Sequence, residues 1–403
     1  MDSSLSQQLE TLLSEDLAGV RDRERFSFDR ILAEVGGNLV LFGAGSLGRS
    51  CARCLLQDGV RPLAFCDNNS AIWGTEVQDI PVVSPVRAAA EYGSTSAFFV
   101  TIWSLAHRYA ETHDRLTAAG CTRVYPAASL RWKYSGELLP FFLQDLPHKV
   151  YQEADLVRAA FGLWADEQSR EEYIAQVRYR VLGDAYGLRP PDAEPSYFLD
   201  SLYSLGAGEV FVDCGAYDGD TLHEVLRRIG SEFSRIVALE PDPRSLEAIR
   251  RYVASLPPAV AARISVYPYA VSSTRKRVQF SASGDMSAAI SASGSLVVDA
   301  APLDELVLDM APTFVKMDIE GAEAEALEGA RQLISRHRPI LSICLYHRQS
   351  DLWRIPLLIH SIYPGYRHFL RPHETDGWQT VGYAVPPERL KVPVPGVPCR
   401  ANV

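Results

Sequence analysis

Two segments of the chain share one layout, and that layout restricts the fold more than anything else in the sequence. In the first, NLVLFGAGSLG, a short apolar strand at 38–42 runs into a turn built on Gly43, Gly45 and Gly48, followed by helix-forming residues. The next apolar stretch, RPLAFCDNN, ends at Asp67, 19 residues after Gly48. In the second, EVFVDCGAYDGD, an apolar strand ends at Asp213, Gly215 and Gly219 follow, and a helix begins. The strand after it ends in Glu240, 21 residues past Gly219, with Pro241 and Asp242 behind it. Strand, glycine turn, helix, strand and acidic residue is how open α/β sheets build nucleoside sites at the carboxyl ends of their strands. The plainer alternative is a turn whose Gly and Asp residues serve geometry alone.

The layout organises the rest. Residues 1–35 read as helix, with Leu5, Leu9, Leu12 and Leu13 on one stripe that packs on its own domain or on a partner chain, as in a homodimer. Residues 36–130 read as a Rossmann-like domain, with a further strand at 96–103 and a helix at 104–119. A helical linker region is expected over 131–195, closing on the breaker cluster RPPDAEP. From 196 to 388 the βα alternation resumes, with strands expected at 209–214, 235–240, 264–269, 313–318, 339–346, 365–370 and 378–385. Helices are expected to start near 219, 243, 320 and 350. The Ser/Ala/Gly-rich run 281–295 reads as a mobile loop or lid between short strands, and 389–403 as an extended Pro-rich tail. The fold class is therefore α/β, with two Rossmann-like domains joined by a helical segment.

The two glycine turns differ in chemistry. A pyrophosphate wants bare backbone N–H groups at a helix N-terminus. The second turn opens with Asp213 and closes with Asp220, which would repel phosphate but suit a cationic sulfonium nucleoside, S-adenosylmethionine (SAM). Glu240 is placed to accept hydrogen bonds from ribose hydroxyls. Further on, KMDIEGAEAEALEGA puts Asp318 and Glu320 at the carboxyl end of a buried strand, while the later Glu residues suit a helix N-terminus and need no other explanation. His347 follows another strand end and is expected to border the same crevice. A neutral imidazole, with a pKa near ~6.5, could take a proton from a hydroxyl. Asp318, Glu320 and His347 are thus the catalytic candidates. Their residue types also permit a divalent metal, as the less favoured variant. Cys51 and Cys54 form a CxxC without matching ligands and read as small core residues.

At this point the sequence resembles the FkbM-type SAM-dependent methyltransferases. The resemblance covers roughly 197–385 and rests on VFVDCGAYDGDT, ALEPDP, YAVS, APLDEL and above all KMDIEGAEAEALEGA. It implies a class I methyltransferase sheet of seven strands with a final antiparallel strand, supplied here by 378–385. It implies SAM as cofactor and methylation of a hydroxyl on a sugar, glycan or natural product. Asp213, Gly215 and Gly219 would hold the methionine end and Glu240 the ribose, with Asp318 beside the methyl group. Tyr217, Asp220, Thr221, Pro241, Asp242 and Ala270 complete the expected cofactor set. The chain departs from many members at ICLYH, where they carry a Glu before the His. The N-terminal half resembles, less specifically, the small nucleotide or nucleotide-sugar domains of sugar-modifying enzymes. Gly43, Gly45, Gly48 and Asp67 would then form a nucleotide site, or else only a scaffold.

Composition narrows the remaining classes. Forty Lys and Arg against fifty Asp and Glu give a net charge of −10, which disfavours nucleic acid and anionic membrane surfaces. No apolar run is long enough to span a bilayer, no secretory leader is evident, and seven scattered Cys suit a reducing cytoplasm. Two other readings remain open: a nucleotide-dependent oxidoreductase working through GAGSLG, and a non-catalytic SAM- or nucleotide-sensing protein.

Overall fold

The computed structural model describes residues 2–281, 289–290, 294 and 296–391. Both glycine turns fold as expected, each at the centre of a sheet. In the N-terminal half six strands lie in the order Glu76–Val77, Ile80–Val83, Ala64–Cys66, Leu39–Phe42, Ala97–Val100, Val124–Pro126. All their pairings are parallel except that of Glu76–Val77 with Ile80–Val83. The helix expected at 104–119 begins only at Tyr109, so 101–108 is an irregular segment beyond a strand's carboxyl end.

The C-terminal half is built on seven strands. Numbered within this sheet alone they are Val210–Cys214, Arg235–Leu239, Ile264–Tyr267, Phe314–Met317, Ile340–Cys344, Arg367–Pro372 and Thr380–Val385. Their spatial order is 3-2-1-4-5-7-6, and the last is antiparallel to both neighbours. Order reverses between the first and fourth strands, which opens a crevice at their carboxyl ends. Central strands are buried at every position because helices cover both faces, and they are apolar apart from Asp213, Lys316 and Ser342. A smaller four-stranded sheet, ordered Tyr269–Val271, Leu296–Ala301, Lys276–Ser281, Ala289–Ile290, flanks the third strand. Lys276–Ser281 and Leu296–Ala301 are the short strands expected on either side of the Ser/Ala/Gly-rich run, whereas Ala289–Ile290 was not expected. Most of the Ser/Ala/Gly-rich run, and the tail from 392 onward, fall outside the described residues.

Residues 1–35 are two helices with different homes. Helix Asp2–Leu12 sends Leu9, with Leu13 just beyond it, into the core of the C-terminal half beside Val157, Tyr173 and Val177. Helix Leu17–Glu34 sends Phe28 into the N-terminal core beside Phe99. The bridging region contains His148–Gln152, Ala154–Phe161 and Glu167–Leu182. Six cysteines, Cys51 and Cys54 among them, are free and buried, and burial pushes the Cys51 thiol up to about 12. That is the core role expected for the CxxC pair.

Candidate functional site

The crevice holds a cavity of about 620 Å³. Of the candidates from the sequence, Gly215, Tyr217, Asp220, Thr221, Glu240, Pro241, Ala270, Asp318 and Glu320 line it. Four other candidates stand behind the wall. Asp213 is buried beneath the turn. Gly219, at φ +95°, caps the helix Asp220–Ile229. Asp242 caps the helix Pro243–Ser255, accepting from the backbone N–H groups of Arg244 and Ser245 at 2.8 and 3.2 Å. His347 is the fourth.

The turn at Gly215 is set by a close crossing. Gly215 has φ +78°, and a Cβ there would lie 1.9 Å from the carbonyl oxygen of Asp318. Any side chain would push the Asp318 loop off the sheet. Glu240 then organises the far side of the turn. Its carboxylate accepts from the backbone N–H of Tyr217 at 2.9 Å and of Asp242 at 2.7 Å. Burial nonetheless pushes its carboxyl up to about 7.

Beneath the cavity floor lies a buried ion pair that the sequence reading missed. Lys316 stands in register with Asp213 across the two central strands, and its ammonium lies 3.0 Å from Asp213 Oδ1. It also donates to the Gly215 carbonyl at 2.6 Å and faces the Tyr197 ring at 5.2 Å. Burial pushes the Asp213 carboxyl up to about 6, with Lys316 pulling the other way. Burial also pulls the ammonium down, but Asp213, Asp318 and Asp220 hold it above its ordinary value. Lys316 at 3.0 Å compensates the Asp213 carboxylate, so Asp213 brings no net charge to the pocket. Lys316 stood in KMDIEG, but a lysine inside an apolar strand gave no cue to its partner.

Asp318 is the centre of the polar wall. Tyr197 donates to it at 2.8 Å, Tyr346 at 3.3 Å and the Gln379 amide at 3.4 Å. Burial pushes its carboxyl up, but His347, Lys316 and Tyr197 together hold it well below the usual range. His347 lies behind this wall with its side chain 1 % exposed. Its Nε2 is 3.2 Å from Asp318 and 3.8 Å from Glu320, and its Nδ1 is 2.8 Å from Glu323. Burial lowers the imidazole's pKa, yet Glu323 and Asp318 overcome this and hold it well above the ordinary histidine value. The expectation of a neutral imidazole bordering the crevice is therefore corrected: carboxylates on both sides keep it charged, and they separate it from the cavity. Glu323, read from sequence as a helix-terminus residue, is fully buried against that imidazole.

Ligand atoms of Asp318, Glu320 and His347 all lie within 4.8 Å of one another, close enough to hold a cation. In the N-terminal half, Gly48 is forced by packing, since a Cβ there would lie 1.8 Å from the Gly43 carbonyl. Asp67 accepts from the backbone N–H of Ala44 and of Asn69, both at 2.8 Å. Gly43, Gly45, Gly48 and Asp67 do not border the cavity.

Sheet order and a switch-point cavity walled by Glu240 and Asp318 define the α/β fold of class I methyltransferases. Residues 213–369 match the family described as the Methyltransferase FkbM domain. Among solved structures, the chain is similar to methyltransferase FkbM from Methylobacillus flagellatus KT. Identity is 23 %, TM-score 0.73, with 95 % of this chain and 98 % of that one covered. Lesser matches include Aeropyrum pernix fibrillarin in complex with SAM (14 % identity, TM-score 0.29, 45 % of this chain and 69 % of that one). Another is UDP-D-quinovosamine 4-dehydrogenase from Vibrio fischeri (24 %, 0.21, 25 % and 85 %). No curated protein matches the chain. Among the described residues no helix is long and apolar enough to cross a membrane.

Proposed function

We propose that the protein transfers the methyl group of SAM to a hydroxyl oxygen of a small acceptor, a sugar, glycan or natural product. One observation carries this reading: a single cavity joins Glu240, suited to a ribose, to the Asp318–Glu320 carboxylates at the strand crossover. With Asp213 neutralised by Lys316, the charges that meet the sulfonium are those of Asp318, Glu320 and Asp220.

In the reaction an oxygen–carbon bond forms as the carbon–sulfur bond breaks, and the thioether leaves uncharged. The protein's work is to hold oxygen, methyl and sulfur in line. Asp318, fixed by Tyr197, Tyr346 and Gln379, orients the acceptor hydroxyl. Glu320 stands beside it on the cavity wall and takes the proton, which then passes to water. His347 acts through its neighbours as a positioning residue, offsetting the charges of Asp318 and Glu323.

Calorimetry with SAM tests the reading directly. Saturable binding that Glu240→Ala weakens at least tenfold is expected, with S-adenosylhomocysteine released when a hydroxylated acceptor is supplied. SAM binding without product across many acceptors would favour the sensing role instead. For the N-terminal turn we favour the scaffold role, since its residues stand apart from the cavity. Saturable quenching of protein fluorescence by NADH would overturn that and support the oxidoreductase reading.

A second arrangement has its own observation behind it, the convergence of Asp318, Glu320 and His347. A divalent cation there would lower the acceptor's hydroxyl pKa. Full activity after exhaustive treatment with EDTA excludes it. Activity restored by Mg²⁺ or Mn²⁺ after such treatment would establish it.

A further inference from the structure

The acceptor end of the cavity is built by both halves of the chain. Its outer wall includes Trp103, Ser104 and Leu105, from the irregular segment that follows strand Ala97–Val100 of the N-terminal sheet. Phe142 and Trp378, also in the lining, pack against Trp103, and Tyr346 packs on Trp378. Trp103 lies nearly parallel to Trp378, with ring centroids 5.8 Å apart and planes at 19°, and meets the edge of Phe141 at 4.7 Å. Even so, Trp103 is 40 % exposed. A tryptophan held in an aromatic cluster but open to a cavity has a free apolar surface to offer.

Its position is fixed from the other half. The Asp376 carboxylate accepts from the backbone N–H of Tyr109 at 3.0 Å and lies 3.1 Å from His107 Nδ1. The Thr375 hydroxyl is within hydrogen-bond distance of the carbonyls of Leu105, at 2.8 Å, and His107, at 2.5 Å. The backbone around this seam is strained as well. Phe142, Tyr197, Glu320, Asp376 and Gln379 all have φ between +47° and +70°. Non-glycine residues in that region cost energy and gather at ligand clamps.

The charge lining the cavity limits what can enter. Asp220, Glu240, Asp318, Glu320 and Glu374 face it, and the one lysine or arginine among the described lining residues, Lys316, is already engaged by Asp213. At the acceptor end a phosphate or carboxylate would find Asp318, Glu320 and Glu374, and no unpaired lysine or arginine among the described lining residues, a repulsive arrangement that selects against it. A ring with one C–H face and hydroxyls on its edge fits these walls. The slightly positive C–H groups meet the negative face of an indole, while Ser104, Glu374 and Gln379 can serve the hydroxyls.

We propose that the seam between the halves is the acceptor subsite, that it takes an uncharged pyranose-type ring, and that Trp103 is its specificity-determining residue. This inference rests on the methyl-transfer reading. The test uses the full chain saturated with S-adenosylhomocysteine and titrated with methyl pyranosides of the gluco, galacto, manno, rhamno and fuco series, followed by tryptophan fluorescence. Parallel titrations use the 6-phosphates of the first three. At least one pyranoside should bind saturably, and its phosphate at least tenfold more weakly.

Trp103→Ala should weaken that binding at least tenfold and leave the SAM dissociation constant within twofold. Glu374→Lys, which reverses the charge of one lining residue, should narrow the gap between sugar and sugar phosphate by at least threefold. Binding of no pyranoside, preference for the phosphate, or an unaltered pyranoside affinity in Trp103→Ala would each overturn the subsite while methyl-donor binding stands. Failure of the unmodified protein to bind SAM would overturn the methyl-transfer reading, and the subsite with it.

Discussion

Glu240 and His347 show how burial and partners pull single residues in different directions. Glu240 is pushed up to about 7 by burial, so near neutrality it is part-protonated before any ligand arrives. Ribose hydroxyls donate best to the ionised form. SAM affinity should therefore rise as pH rises through 7, by about tenfold between pH 6 and pH 8. Calorimetry across that range checks it, and Glu240→Gln should bind more weakly at pH 8 with the slope abolished. His347 behaves oppositely, because paired carboxylates raise it well above its usual value. A histidine base would give a rate falling off below about 6.5. A positioning imidazolium gives no such limb, and loses its effect only as pH rises through its elevated pKa. A pH–rate profile of the wild type against His347→Ala separates the two. The variant should cut turnover while leaving SAM affinity unchanged.

At the scale of elements, the carboxyl-end turns are held by close crossings rather than by their helices. Gly215→Ala would drive a methyl group into the Asp318 carbonyl and force a non-glycine residue to φ +78°. It should destabilise the protein by about 2 kcal/mol or more, read from urea unfolding, and impair SAM binding with it. An unchanged midpoint would show that the crossing relaxes easily. Most elements were legible in the sequence because period and punctuation agreed: the strand at 210–214 and the Gly–helix turn after it could be read directly. Lys276–Ser281 and Leu296–Ala301 were legible only as short strands without bounds, since alternation there is short, and Ala289–Ile290 was not legible at all. Nor was the break after Glu328. The sequence reads as one amphipathic helix, whereas a Cβ at Gly329 would meet the Ser272 carbonyl at 2.2 Å, so close packing there has no local signature. Among the lining residues, Gly215, Glu240 and Asp318 were readable because each lies just past a strand end. Trp103, Tyr197, Lys316 and Gln379 were not, because their meeting depends on contacts more than sixty residues apart in the chain.

For the whole molecule, the two halves are interlocked by the first helix and by the seam at Thr375, Asp376 and Trp378. Helix Asp2–Leu12 lies on the C-terminal half, although the next helix belongs to the N-terminal one. Leu9→Ala should cost about 2–4 kcal/mol, because a fully packed site cannot collapse around the lost methyl groups. That loss should appear in the C-terminal half, as faster amide exchange in Glu167–Leu182, with Leu39–Phe42 little changed. Equal loss in both sheets would mean that they unfold as one cooperative unit. At the seam, Asp376→Ala should raise the KM for acceptor with little effect on SAM affinity, since it frees the segment that carries Trp103.

The buried cysteines offer a way to watch this coupling. Cys51, Cys54, Cys66 and Cys121 lie in one half, Cys214 and Cys344 in the other, and burial raises every one of these thiols. Thiolate, not thiol, is what alkylating reagents attack. Iodoacetamide should then mark these six positions only when a sheet opens, and peptide mass spectrometry would time the opening of each half separately in an unmodified chain.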